Sequence, residues 1–154
     1  FMTRLLAVLM MLSMGFPVMA QQVPETIAGA STINVLQARI LYEQGAMFVD
    51  VRPLREWSWG HVQGAAHLDI DTRFAHLATA DIARDTPLVV YCDNDFSQRS
   101  AEAVRKAVSW GYSQVYFFRS GYFAWQLLDF PLDKGESNDS QLYAMSYGFK
   151  RLTD

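Results

Sequence analysis

The segment Leu88-Val-Val-Tyr-Cys-Asp-Asn-Asp-Phe-Ser-Gln-Arg-Ser100 joins two kinds of pattern. Leu88 to Tyr91 is a short apolar, β-branched run of the kind that forms a buried strand. From Gln98 onward, Ala101, Val104 and Val108 recur at helical spacing. The polar residues between them form a loop that leaves the C-terminal end of a strand and enters a helix N-terminus. Open α/β sheets bind ligands at such places, where backbone N–H groups and the helix dipole favour negative charge. Cys92, the single cysteine of the chain, opens this loop and Arg99 closes it. A free cysteine is often an inert buried residue. A cysteine directly after a strand and before a polar segment instead has the position of a site residue, where a thiolate is a nucleophile.

The 154 residues suffice for one domain with its own core, and a net charge of −3 does not suggest a nucleic-acid partner. Residues 1–20 read as a signal peptide. Arg4 is a minimal positive region, Leu5 to Leu12 an unbroken apolar run, and Val18-Met-Ala20 resembles a cleavage site. The apolar run is short for a membrane span, so cleavage after Ala20 is expected, with no stable membrane anchor and a periplasmic or secreted product. An exported lone cysteine is an intermolecular partner or a free reactive thiol.

Residues 21–30 read as a mobile linker. A helix follows, with Asn34 as N-cap and Gln37 completing a capping box. Gly45 ends it and a strand is expected over residues 46–51. Pro53 starts a short helix in which Trp57 and Trp59 are packing residues. Residues 60–64 read as a turn and 65–70 as a short strand. Asp71 or Thr72 is the expected cap of a segment over 73–80. Residues 114–118 form another strand, 122–128 a last helix with Trp125 packed beneath it, and Pro131 ends the regular structure. Strands alternating with helices indicate an α/β domain with a mainly parallel sheet. His61, His67 and His76 show no metal-ligand spacing with the one cysteine, so no metal or other cofactor is expected.

Three sets of residues carry a resemblance to the rhodanese family. Asp50-Val-Arg52, Glu56-Trp57 and Gly60-His-Val-Gln-Gly-Ala65 are similar to its first signature. Gly111-Tyr-Ser-Gln-Val115, Ser120-Gly-Tyr-Phe-Ala-Trp125 and Phe130-Pro131 are similar to its C-terminal one. Cys92 falls where the family keeps its catalytic cysteine. The resemblance implies a three-layer α/β/α sandwich over residues 31–135, followed by a polar tail over 136–154 whose Tyr143, Tyr147 and Phe149 are candidates for docking on the domain. It also implies sulfurtransferase chemistry. The thiolate takes the outer sulfur of a donor such as thiosulfate, becomes a persulfide, and passes the sulfur to cyanide, a thiol or a protein acceptor. Cys92 would carry the sulfur, the N–H groups of Asp93, Asn94, Asp95, Phe96, Ser97, Gln98 and Arg99 would cradle it, and Arg99 would favour the anion. Asp50 and Arg52 are expected to hold the loop framework.

The loop departs from the family in two ways. Rhodaneses commonly have four residues between Cys and Arg, and the related cell-cycle phosphatases five; here there are six, Asp93 to Gln98. The loop also lacks glycine, which makes Asn94 the candidate for a left-handed position. It carries Asp93 and Asp95, whose charges disfavour a nearby thiolate and anionic donors. Three readings follow: an exported sulfurtransferase, a rhodanese-fold binding or sulfur-carrier module, and a phosphatase or arsenate-reductase-like enzyme. The acidic loop weighs most against the last.

Overall fold

The computed structural model describes residues 22–135. The expected signal peptide and the polar tail with Tyr143, Tyr147 and Phe149 lie outside the described residues. Five strands form one parallel sheet: β1 (Ala30–Ile33), β2 (Met47–Asp50), β4 (Ala66–His67), β5 (Leu88–Tyr91) and β6 (Val115–Phe118), in the order β1-β6-β5-β2-β4. The helices are α1 (Val35–Glu43), α2 (Leu54–Trp59), α3 (Gln98–Ser109) and α4 (Gly121–Leu127), with a short 3-10 turn at Phe74–Ala78.

Side-chain alternation along the strands sorts the core into two halves, as a pleated sheet requires. Val49, Leu88, Val90, Val115 and Phe117 face one side and pack against Ala101, Val104 and Ala107 of α3 and Phe74 of the 3-10 turn. Phe48, Val89, Tyr91 and Phe118 face the other side and pack against Ala38 of α1, Trp57 of α2 and Trp125 of α4. Both faces are covered, which is why β2 and β5 are buried along their whole length. The result is the expected three-layer α/β/α arrangement.

This layering places the site. β2 and β5 are neighbours, but the chain leaves β2 toward the Trp57 face and leaves β5 toward the α3 face. Adjacent strands whose connections part to opposite faces open a crevice at their C-terminal ends. The Arg52 turn and the Cys92 loop border that crevice.

The capping box of α1 is present, with Asn34 Oδ1 accepting from the Gln37 amide and Gln37 Oε1 from the Asn34 amide, each at 2.8 Å. Other expectations need correction. The stretch read as a mobile linker is packed: Val23 and Ile27 are buried in the core, and Arg119 donates to the carbonyls of Val23 and Pro24 at 3.1 Å. β1 follows it as an edge strand whose exposed Ser31 and Thr32 hide its pairing from a hydrophobicity reading. Trp57 is buried, but Trp59 is exposed beneath Arg55, because residues two apart on a helix point to opposite faces. The turn at 60–64 contains β3 (His61–Val62), paired antiparallel with β7 (Leu132–Asp133) beyond Pro131. Two-residue strands joined across most of the domain leave no local pattern. The segment before the 3-10 turn is fixed by Asp69, which accepts from the amides of Asp71, Arg73 and Phe74 at 2.9–3.0 Å, rather than by Asp71 or Thr72.

α4 comes unusually close to the Cys92 loop. The amides of Tyr122 and Phe123 donate to the carbonyls of Cys92 and Asp93, each at 2.9 Å. Gly121 has φ +63°, and a Cβ there would lie 2.5 Å from the Cys92 carbonyl oxygen. Gly64 has a similar φ of +77° with nothing within 4 Å of a Cβ. Gly64→Ala should therefore cost about 1–2 kcal/mol, the left-handed penalty alone, and Gly121→Ala clearly more because backbone must move. Urea unfolding of the two variants checks this; equal losses would show that α4 has room to retreat from the loop.

Candidate active site

Tyr91 ends β5 and Ser97 precedes α3, so the loop proper runs from Cys92 to Ser97. Its form follows from one side chain. Asn94 Oδ1 accepts from the Phe96 amide at 2.9 Å, and the Asn94 carbonyl accepts from the Ser97 amide at 3.2 Å. This is a side-chain-stabilised turn of the kind Asn favours. It replaces the expected left-handed position: among the described residues Asp129 is the non-glycine with positive φ, and Asn94 is not.

Cys92 is 1% exposed. Its thiol points toward Asp93 Oδ2 at 4.0 Å. The Ser97 side chain and the Asp93 backbone lie near enough to the sulfur to lower its pKa. Burial pushes the thiol up to about 11, opposed by the Ser97 hydrogen bond; the Asp93 charge raises it further and the Asp93 backbone bond lowers it. The amide of Asp93 and the hydroxyl of Ser97 lie near the sulfur, while the amides of Phe96 and Ser97 are committed within the loop. The Ser97 hydroxyl is a contact that sequence reading missed, since only its N–H was considered there.

The two loop carboxylates diverge. Asp93 Oδ1 lies 3.6 Å from Arg52 Nη1. Asp95 turns outward to Arg119 at 3.8 Å, beside a cleft of about 610 Å³ between residues 22–25 and the loop. Phe96 is 88% exposed at the loop tip. Gln98 begins α3. Arg99 lies in the first turn of α3 with its guanidinium 3.7 Å from Glu56, so its charge is directed to α2. The six residues counted between Cys92 and Arg99 therefore include Gln98, the first residue of the helix.

Arg52 is the second centre of the site. Its guanidinium is 2% exposed and grips the Asp50 carboxylate at 2.7–3.1 Å. It also donates to the Gly60 carbonyl at 2.6 Å and lies 4.2 Å from the Tyr122 ring centroid. Asp50 and Arg52 therefore hold β2, α2, α4 and the loop in register. His61 and His67 stack on the two faces of Trp57, with His61 Nδ1 at 2.9 Å from the Trp57 carbonyl and His67 Nε2 at 2.7 Å from the Arg52 carbonyl. Burial lowers the His61 pKa. The His67 contact is to a backbone carbonyl on another turn, which no spacing in the sequence signals.

Chemically, this is a buried thiol at the C-terminal end of β5 with one carboxylate beside it. Comparison with known proteins fits that description. The Rhodanese-like domain family matches residues 32–128. Thiosulfate sulfurtransferase GlpE of Pseudomonas fluorescens is 36% identical over 102 residues, 66% of this chain and 89% of that protein. Thiosulfate sulfurtransferase GlpE of Pseudomonas aeruginosa strain LESB58 is 37% identical over 97 residues, 63% of this chain and 84% of that one. Among solved structures, the Alr3790 protein from Anabaena aligns with a TM-score of 0.61 at 20% identity, covering 72% of this chain and 99% of that chain. The polysulfide-sulfur transferase homodimer from Wolinella succinogenes aligns with a TM-score of 0.58 at 20% identity, covering 70% and 80%. The two structural likenesses are likenesses of fold. The family match covers more than half of the chain and takes in the β2 turn, the Cys92 loop and the start of α4, and by it this protein belongs to the rhodanese-like domain family.

Proposed function

We propose that this protein is a sulfurtransferase that carries a sulfane sulfur on Cys92. The observation that supports it best is the position of Cys92 directly after β5, in a loop that enters the N-terminus of α3 with the Asp93 carboxylate beside the sulfur. In the first step Cys92 Sγ attacks the outer sulfur of the donor. The donor S–S bond breaks, its electron pair leaves on sulfite or a thiolate, and the Cys92 persulfide forms. In the second step a thiol, cyanide or a protein acceptor attacks that outer sulfur and returns Cys92 to a thiolate. This is covalent catalysis through an activated nucleophile, and the donors near the sulfur offset part of the cost of its charge. We further propose that the protein acts in the periplasm or outside the cell; N-terminal sequencing of exported material should then begin at Gln21.

The deep burial of Cys92 and its raised pKa favour a second reading, a binding or sulfur-carrier module with little turnover. A phosphatase is disfavoured, because phosphate brings close to two negative charges toward Asp93. Mass spectrometry separates the first two. Wild-type protein exposed to thiosulfate or mercaptopyruvate should gain one sulfur atom, removable by cyanide or a reductant, and Cys92→Ser should gain none. A wild type left unmodified by a range of sulfur donors would transfer the case to the binding module.

The pH dependence of the thiol gives a second test. A folded-state pKa raised to about 11 leaves Cys92 protonated through neutral pH. Only the thiolate reacts. Iodoacetamide alkylation should therefore climb by about tenfold per pH unit between pH 7 and pH 10 without levelling near the ordinary thiol value. A plateau below pH 9 would mean that the hydrogen bonds and the helix N-terminus outweigh burial.

A further inference from the structure

The charges around Cys92 can be assigned to their partners one by one. Arg99 is spent on Glu56 at 3.7 Å, and Asp95 is spent on Arg119 at 3.8 Å. Arg52 is held by Asp50 through several contacts of 2.7–3.1 Å, which neutralises both. Asp93 is the third member of that cluster: its Oδ1 reaches Arg52 Nη1 only at 3.6 Å, and its Oδ2 stands 4.0 Å from the Cys92 sulfur. Two carboxylates share one guanidinium, so the cluster keeps one negative charge, and the carboxylate nearest the sulfur is that of Asp93. The side chain is held in place by Arg52, and the loop base is fixed by the Tyr122 and Phe123 amides on the carbonyls of Cys92 and Asp93. The partial positive charge at the start of α3, roughly half a unit, opposes it. The balance at the sulfur is unfavourable to a dianion.

We infer that Asp93, and not Asp95, sets the charge class of donor that Cys92 accepts, disfavouring thiosulfate relative to an organic persulfide, R–S–SH, with no net negative charge on R. The donor class rests on the sulfur-transfer reading above. In the favoured step Cys92 Sγ attacks the outer sulfur of R–S–SH and the donor S–S bond breaks. Its electron pair leaves on R–S, which takes up the proton displaced from Cys92. One S–S bond is exchanged for another, and no external oxidant or reductant takes part.

The test compares wild type, Asp93→Asn, Asp93→Glu and Asp95→Asn. Each is alkylated at one pH with iodoacetate and with iodoacetamide, which differ in charge but share their chemistry, and each is loaded with thiosulfate and with cysteamine persulfide. Ratios of the paired rates cancel any change in thiol exposure. In Asp93→Asn the iodoacetate-to-iodoacetamide ratio and the thiosulfate-to-persulfide ratio should both rise, by about threefold to tenfold, the range a single partly screened charge supplies. The rise should shrink with added salt. Asp93→Glu should stay near wild type and Asp95→Asn within about twofold of it. No rise in Asp93→Asn, or an equal rise in Asp95→Asn, overturns the inference even where sulfur loading occurs. Absence of loading in every protein overturns the donor class together with the sulfur-transfer reading it rests on, while the alkylation ratios, which need no sulfur donor, decide separately whether Asp93 sets the charge preference at Cys92.

Discussion

The buried pair of Asp50 and Arg52 is the interaction on which the site depends. Neither side chain reaches solvent to any extent, so each charge has to be matched inside the protein. Asp50 supplies most of that match, and the Gly60 carbonyl and the Tyr122 ring complete it. These partners come from β2, from the end of α2 and from α4, so satisfying one guanidinium brings three elements to one point. Removing one member of such a pair strands the other and typically costs about 3–5 kcal/mol, whereas replacing both by apolar groups often costs little. The pair is better understood as fixing geometry than as supplying stability. What it fixes is the wall of the crevice against which the Cys92 loop lies.

The loop itself is a contest between two effects of similar reach. A helix N-terminus and oriented N–H groups draw negative charge toward Cys92. Removal from water pushes the other way, and at 1% exposure it prevails, holding the thiol at about 11. Asp93 adds to the same side. The resting cysteine is therefore a shielded thiol. Thiolate character and exposure together determine susceptibility to oxidation, and both are low here.

The legible parts of this protein were those with a local cause. The Asn34–Gln37 capping box, the strands β2 and β5, and the α3 stripe of Ala101, Val104 and the partly buried Val108 are set by neighbours within a few residues, and they stand where the sequence indicates. The illegible parts have distant causes. β3 and β7 pair two-residue strands that lie far apart along the chain, and β1 shows two polar residues to solvent at the sheet edge. Residues 22–29, polar and Pro-containing, are held by Arg119 from nearly a hundred positions away.

The same division runs through the site. Sequence by itself determined that one cysteine follows a buried strand, that a polar loop with two carboxylates separates it from a helix, and that Asp50 and Arg52 are two residues apart at the end of another strand. These are matters of order and spacing along the chain. Only the tertiary structure decided what each charge does. Asp93 and Asp95 are equivalent on paper, yet one is drawn in to Arg52 and the sulfur and the other out to Arg119. Arg99, read as the closing residue of the loop, is turned by its place in the first turn of α3 to Glu56. Electrostatic energy depends on distance in space and on burial, and neither can be read from position in the chain when the partners lie on separate elements.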